Sequence, residues 1–261
     1  MADLLAVAQE AVTVAADLIR TRTAGALTPK GERDMASELD FAVERAVRNL
    51  LAQRTPGIGF LGEEFGGSGG GEGLTWVLDP IDGTVNFVHG MPLCAVSLGL
   101  VRDGRAILGV IDTPFLERRY HAALGHGAFC NDLPIRASSI EDLADAVTAV
   151  GDYAVGPGSE AANRWRLAVT AALVPRVQRI RMLGSAAIDL AWLAEGRIDA
   201  LVMLTNRPWD TCAGVVLARE AGAAVLDRQG GEHTLASGET LAGSPALLSR
   251  LLPLIDGALT D

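Results

Sequence analysis

The stretch Trp76-Val77-Leu78-Asp79-Pro80-Ile81-Asp82-Gly83-Thr84-Val85-Asn86-Phe87 decides how this chain is read. Trp76 to Leu78 are apolar and run straight into Asp79, the pattern of a buried strand that delivers a carboxylate at its end. Pro80 has no N–H to give to a ladder, so the strand is expected to stop there. Asp82 follows, and Gly83-Thr84 can open a helical turn whose first N–H groups have no partner in their own helix. Two carboxylates beside free N–H groups make a place where a hard cation and a phosphate can meet. Either Asp alone would serve equally well as a turn cap, so the reading depends on what else the chain supplies.

It supplies three more acidic sites. Gly62-Glu63-Glu64 follows the short apolar strand Ile58–Leu61, and adjacent carboxylates repel unless a cation relieves them. Trp209-Asp210 precedes a helix from Thr211, where Asp210 can cap the helix, contact a ligand, or do both. Asp40 lies near the start of another helix, where the helix dipole also favours an acid.

Around these residues the apolar spacing gives the element order. Leu4, Leu5, Ala8, Ala11, Val12, Ala15, Leu18 and Ile19 predict an amphipathic helix, followed by a loop through Gly25, Pro29 and Gly31 and a second helix over 39–53. Strands are expected at 74–78, 94–101, 106–111, 119–123 and 128–129, with Asp103-Gly104 as a hairpin turn. Residues 1–140 thus form an α+β half with a mainly antiparallel sheet. Residues 141–261 alternate strands at 146–150, 179–182, 200–204, 224–226 and 240–242 with helices at 161–173, 186–194, 211–221 and 245–255, an α/β half. With no repeat and no long linker, the two halves are expected to share one core in a single domain. Gly66-Gly67-Ser68-Gly69-Gly70-Gly71 reads as a flexible surface loop.

Composition narrows the function. The 22 Lys and Arg stand against 32 Asp and Glu, a net charge of −10. That balance argues against a nucleic-acid partner, which needs a basic face, and suits carboxylates that hold divalent cations. The mean hydropathy of +0.27 raises the question of a membrane. No uncharged apolar run reaches the roughly 18 residues of a spanning helix. Asp3, Glu10 and Asp17 interrupt the N-terminal segment, so it does not read as a secretory signal. Cys94, Cys130 and Cys212 are dispersed and read as small core residues in a reducing cytoplasm. The four histidines read as surface or hairpin residues, and Trp165 and Trp192 as packing.

With Gly62-Glu63-Glu64, the stretch from Trp76 to Phe87, and Trp209-Asp210 with its helix running to Glu220-Ala221-Gly222, the chain resembles the inositol monophosphatase family of Mg²⁺-dependent, lithium-sensitive phosphatases. Gly184-Ser185-Ala186-Ala187 is similar to that family's substrate-side helix start. The resemblance implies a five-layer α/β/α/β/α fold with the active site between the halves. It also implies two to three Mg²⁺ ions: Glu63, Asp79 and the Ile81 carbonyl would hold one, and Asp79, Asp82 and Asp210 a second. A third would lie near Glu63. Thr84, linked to Asp40, would activate the attacking water together with Glu63. The N–H groups of Gly83 and Thr84 would bind phosphate. Ser185 and Ala186, with Asp82 and Asp210, would face a small phosphorylated polyol. The implied reaction is hydrolysis of inositol 1-phosphate, and the implied assembly a homodimer.

Three departures from the family pattern bear on that. Ala36-Ser37 stand where the family reads Val-Thr, and Ser37 keeps the hydroxyl, so Asp40 is expected to keep its role; nearby Lys30 can steer phosphate or be a solvated loop residue. Met203, seven residues before Asp210, stands where an acid often contacts inositol hydroxyls, and a thioether accepts hydrogen bonds poorly. Histidinol phosphate, fructose 1,6-bisphosphate, a nucleotide 3′-phosphate, or a non-catalytic binding role therefore stay open, and Thr205, Asn206 or Arg207 are candidate substitutes for the acid. The third departure is the glycine-rich run after Glu64.

Overall fold

The computed structural model describes residues 1–31, 34–68 and 73–258. Helix α1 (Ala2–Thr21) buries Val7, Ala8, Ala11, Val12, Ala15 and Ile19, the face its spacing predicts. The segment expected as a loop is instead a hairpin of β1 (Leu27–Gly31) and β2 (Asp34–Ser37). Every β1 residue is exposed, so no apolar alternation marks it as a strand. Helix α2 (Glu38–Arg54) follows directly, opened by a reciprocal cap between Ser37 and Asp40.

Strands β3 (Gly59–Gly62), β4 (Gly66–Ser68) and β5 (Leu74–Asp82) lead to the short helix α3 (Thr84–Val88). Then come β6 (Ala95–Arg102), β7 (Arg105–Thr113), β8 (Arg118–Ala123), β9 (Ala128–Cys130) and β10 (Leu133–Pro134). They form one eight-stranded sheet in the order β10-β9-β8-β7-β6-β5-β3-β4, antiparallel except for the β3–β5 pair. Asp103 and Gly104, both at positive φ (50° and 78°), make the tight β6–β7 turn. Two expectations fail here. Pro80 does not end β5; the strand accommodates it as an irregularity between Asp79 and Asp82, where pairing with β6 resumes at Ala95. Gly66, Gly67 and Ser68 of the glycine-rich run pair with β3 as a strand, held by backbone bonding that needs no side chain; Gly69 to Gly71 lie outside the described residues.

The second sheet uses β11 (Val147–Val150), β12 (Arg179–Arg181), β13 (Ala200–Met203), β14 (Ala224–Leu226) and β15 (Thr240–Gly243) in the order β12-β11-β13-β15-β14. β11 is parallel to both neighbours and the remaining pairs are antiparallel. Between them run α4 (Ser159–Leu173), α5 (Ala186–Ala194) and α6 (Pro208–Glu220), and α7 (Pro245–Gly257) follows. Helices α1 and α2 pack on the outer face of the first sheet. Helices α5 and α6 lie between the sheets: Ala187, Ile188, Ala213 and Val216 meet Ile111 and Tyr120 on one side. Leu190, Leu193, Val215 and Ala218 meet Leu201 and Ala242 on the other. Val169 and Leu173 of α4 and Leu247 and Leu251 of α7 cover the outer face of the second sheet. The result is the five-layer α/β/α/β/α arrangement.

Helix α6 has no slack. A Cβ on Gly99 would stand 2.2 Å from Cys212 Sγ, one on Gly109 2.4 Å from the Ala213 carbonyl oxygen, and one on Gly214 2.4 Å from Leu190 Cβ. Three glycines thus let α6 press against β6, β7 and α5, and that fixes the first turn of α6, which carries Asp210. His233, read from the sequence as a surface or hairpin residue, is buried. Asn206 Nδ2 donates to the Ser237 carbonyl, leaving its Oδ1 to accept from the Thr240 hydroxyl (2.9 Å). Thr240 Oγ1 therefore accepts from His233 Nε2 (2.9 Å), which fixes the tautomer. Burial, then the nearby Arg219, pushes the His233 pKa down to about 4. Gly109→Ala is expected to cost more than about 2 kcal/mol of unfolding free energy, because its neighbour is helix backbone that cannot rotate away. Urea denaturation checks this; a loss under about 1 kcal/mol would show that α6 can retreat.

Candidate active site

The carboxylates singled out in the sequence meet in one cavity of about 340 Å³ between the two halves, lined by Glu63, Asp79, Ile81, Asp82, Gly83, Thr84, Ser185, Ala186 and Asp210 among others. β5 brings Asp79, Ile81 and Asp82, the end of β3 brings Glu63, and α6 brings Asp210. Asp210 caps the start of α6, one of the roles open to it in the sequence, but from inside the helix and not as the N-cap residue. It is the third residue of α6, and its carboxylate reaches back to accept from the Arg207 N–H (2.6 Å).

Asp79 is the most telling member. It is buried, and its Oδ1 has no hydrogen-bond partner. Burial, then repulsion from Glu63, Asp82 and Asp210, raises its pKa well above the ordinary value. Burial likewise lifts Asp210 to about 7, against the bond from Arg207. It lifts Asp82 to about 6, although Ser185 Oγ (2.5 Å) and Ala187 N–H (2.6 Å) both donate to Asp82 Oδ2. Those two bonds make Asp82 not only a ligand candidate but also a buried tie between β5 and the N-terminus of α5.

Asp40 does not line the cavity but supports it from below. Its Oδ1 accepts from Thr84 Oγ1 (3.1 Å) and its Oδ2 from the Ser37 N–H (2.8 Å). Burial raises its pKa, and the bonds from Ser37 and Thr84 oppose that. Thr84 Oγ1 also stands 3.0 Å from the Ile81 carbonyl, so its single proton has two acceptors and its lone pairs remain available. Gly83, at φ 85°, sits where a Cβ would be 2.8 Å from the Leu93 carbonyl oxygen. Only glycine lets this turn enter between the halves. Asn86 Nδ2 then braces the turn by donating to the carbonyls of Leu93 and Leu183 (both 2.8 Å).

The charge at the mouth is balanced by a residue the sequence left undecided. Lys30, on β1, pairs with Glu63 (2.7 Å) and Glu64 (2.6 Å). Burial alone would lower the Lys30 pKa, but the two carboxylates, Glu63 above all, outweigh it and raise it. Among the described residues no three or more His, Cys, Asp or Glu side chains already form a closed metal-holding group. The carboxylates instead face a shared space, with Glu63 turned to Lys30.

At the other end the cavity is lined by Gly151, Asp152, Tyr153, Arg166, Asp189, Met203 and Thr205. Met203 and Thr205 were singled out in the sequence. Asn206 was also a candidate but is bonded away to Ser237 and Thr240, and Arg207 is not among the lining residues. Asp152, Tyr153, Arg166 and Asp189 were missed. A signal existed for Asp189, the only charged residue in the apolar helix Ala186–Ala194, and for Asp152, which follows strand β11 as Asp79 follows an apolar run.

The family model described as the inositol monophosphatase family matches residues 1–259. This chain belongs to the inositol monophosphatase family. A Mesorhizobium japonicum inositol-1-monophosphatase is 38% identical over 227 residues, covering 87% of this chain and 84% of that protein. The Thermotoga maritima IMPase structure superposes with a TM-score of 0.90 at 28% identity, over 99% of this chain and 98% of that one. The Bartonella henselae extragenic suppressor protein suhB gives 0.88 at 31% identity, over 97% and 98%. The family's enzymes are metal-dependent phosphoric monoester hydrolases.

The donor set fits a hard cation: all its atoms are oxygens, and the unpartnered Asp79 Oδ1 has nothing in the protein to receive. The repulsion also has a measurable cost. Because Asp79 has a raised pKa when folded, ionisation destabilises the folded state as pH rises, and an amide avoids that cost. Asp79→Asn at pH 8 in chelator is therefore expected to raise Tm by about 2–6 °C, and Mg²⁺ is expected to raise Tm in the wild type but not in this variant. Thermal melts with and without Mg²⁺ test both; a lowered Tm in chelator would contradict the reading.

Proposed function

We propose that this chain hydrolyses the phosphate monoester of a small polyol, inositol 1-phosphate foremost, with two to three Mg²⁺ ions. The observation that carries this is the convergence of Glu63, Asp79, Asp82 and Asp210 on one cavity, with Asp79 Oδ1 unpartnered, beside the turn at Gly83 and Thr84. Glu63, Asp79 and the Ile81 carbonyl would hold one ion, and Asp79, Asp82 and Asp210 another. Bound there, Mg²⁺ supplies Lewis acidity, which lowers the pKa of water and offsets charge on the phosphoryl oxygens.

The protein's own groups do the positioning. Thr84 Oγ1, its proton held by Asp40 or by the Ile81 carbonyl, accepts a hydrogen bond from water and orients it. The N–H groups of Gly83 and Thr84, at the start of α3, lie free of partners in that helix and hold a phosphoryl oxygen. Ser185 and Ala186 line the wall beside the departing alcohol. No covalent nucleophile is needed, since phosphoryl transfer is mostly a matter of positioning and charge stabilisation. Among the described residues no helix is long and apolar enough to cross a membrane. The same reading carries a cytoplasmic location and a homodimer; light scattering on the purified protein tests the homodimer.

The direct test is phosphate release from inositol 1-phosphate, histidinol phosphate and fructose 1,6-bisphosphate, with Mg²⁺ and with EDTA. Inositol 1-phosphate is expected to be preferred, EDTA to abolish turnover, and Asp79→Asn to lower kcat at least about 10³-fold. EDTA-insensitive release would overturn the metal reading; preference for another compound would overturn the substrate.

A further inference from the structure

One buried acid outside the cavity has no part in the chemistry just described. Glu44, on α2, is fully buried. Burial raises its pKa, the hydrogen bonds it accepts oppose that, and repulsion from Glu63 adds to the rise. Glu44 lies one helical turn beyond Asp40, so both carboxylates stand on one face of α2, about 6 Å apart along its axis. Asp40 accepts from Thr84. Glu44 grips the turn that carries Glu63: its Oε2 accepts from the Glu64 N–H (2.7 Å) and its Oε1 from the Phe65 N–H (3.0 Å). The Glu63 N–H donates to the Leu78 carbonyl (3.2 Å). The three N–H groups of the turn are thus tied, one to the strand that bears Asp79 and two to the helix that holds Thr84.

Packing alone does not ask for a charge at position 44. An apolar side chain would fill the space without desolvating a carboxylate, and Phe41 of the same helix already gives the Phe65 ring an edge-on apolar contact. What a carboxylate adds is two acceptor oxygens for two adjacent N–H groups, an arrangement that glutamine cannot reproduce. Gly62 makes room for it, since a Cβ there would overlap the Glu44 carboxylate. The acid is thus kept beside a cluster that repels it, at the one turn whose side chain, Glu63, is turned to Lys30. With that side chain engaged at the mouth, the backbone has to hold the place from which Glu63 reaches the cavity.

Resting on the reading of Glu63 as a cation ligand, we propose that Glu44 is a positioning residue for the cation site. It holds the Glu63 turn at a set distance from Thr84, with one turn of α2 as the spacer. Releasing the turn lets Glu63 drift from Asp79 and weakens the grip on the ion that the two share.

Calorimetric titration of the full chain with Mg²⁺ tests this without turnover. Glu44→Gln keeps the size of the side chain but leaves one acceptor oxygen, and is expected to weaken Mg²⁺ binding about ten-fold or more. In a Glu63→Gln background the same change is expected to weaken it less than about three-fold, because the effect passes through Glu63. Gly62→Ala retains Glu44 but pushes its carboxylate off the turn, and is expected to follow Glu44→Gln; it carries the test if Glu44→Gln does not fold. Asp112→Asn removes a different buried acid, one bonded to Arg20 and Arg119, and is expected to lower Tm with an unchanged Mg²⁺ isotherm. A shift under about three-fold in both Glu44→Gln and Gly62→Ala, or an equal loss with and without Glu63, overturns the positioning role and leaves the phosphatase reading intact. No Mg²⁺ binding by the wild type removes both. Circular dichroism on each variant separates loss of binding from loss of fold.

Discussion

Mutual repulsion among clustered carboxylates, Asp79 and Asp82 of them buried, is the constraint around which the rest of this structure is arranged. Glu63, Asp79, Asp82 and Asp210 come from β3, β5 and α6, and folding brings their like charges to one cavity. Such a cluster disfavours the folded state unless something positive meets it. The protein answers in two ways. Lys30 neutralises Glu63 and Glu64 at the mouth. Backbone N–H groups of Ala187 and Arg207 take an oxygen each from Asp82 and Asp210. One oxygen, on Asp79, is left with nothing. The electrostatic cost concentrates where a cation would remove it.

Keeping those charges together requires rigid delivery. The bulge at Asp79–Asp82 turns both side chains of one strand toward the cavity without ending the strand. The glycine contacts under α6 leave Asp210 no freedom to drift away. Ser185 and Asp82 join the first sheet to the middle helix layer through one short bond, so the cavity wall is also a seam of the molecule. Stability and chemistry are therefore coupled at Asp82, whose loss would disturb both.

Much of this was legible in the sequence, for identifiable reasons. The amphipathic helices and apolar strands declared themselves through spacing, and the dense pattern from Trp76 to Phe87 carried both the family and the ligand candidates. The hairpin at Leu27–Ser37 was missed because its first strand is wholly exposed and leaves no alternation. The strand at Gly66–Ser68 was missed because glycine signals a turn even when backbone pairing holds it. Pro80 was read by the general rule, and the irregularity between Asp79 and Asp82 is how the strand escapes it. Asp152, Arg166 and Asp189 are far from one another in sequence and belong to no dense motif, so only the fold could place them in one cavity.

The central claim, that this cluster exists to hold cations, is tested most directly by an anomalous-scattering map from crystals grown with Mn²⁺. The account predicts a peak within coordination distance of Asp79 Oδ1, with Asp82 and Asp210 or Glu63 as co-ligands. A map in which Asp79 Oδ1 stays unligated while Mn²⁺ binds elsewhere, or not at all, would contradict it.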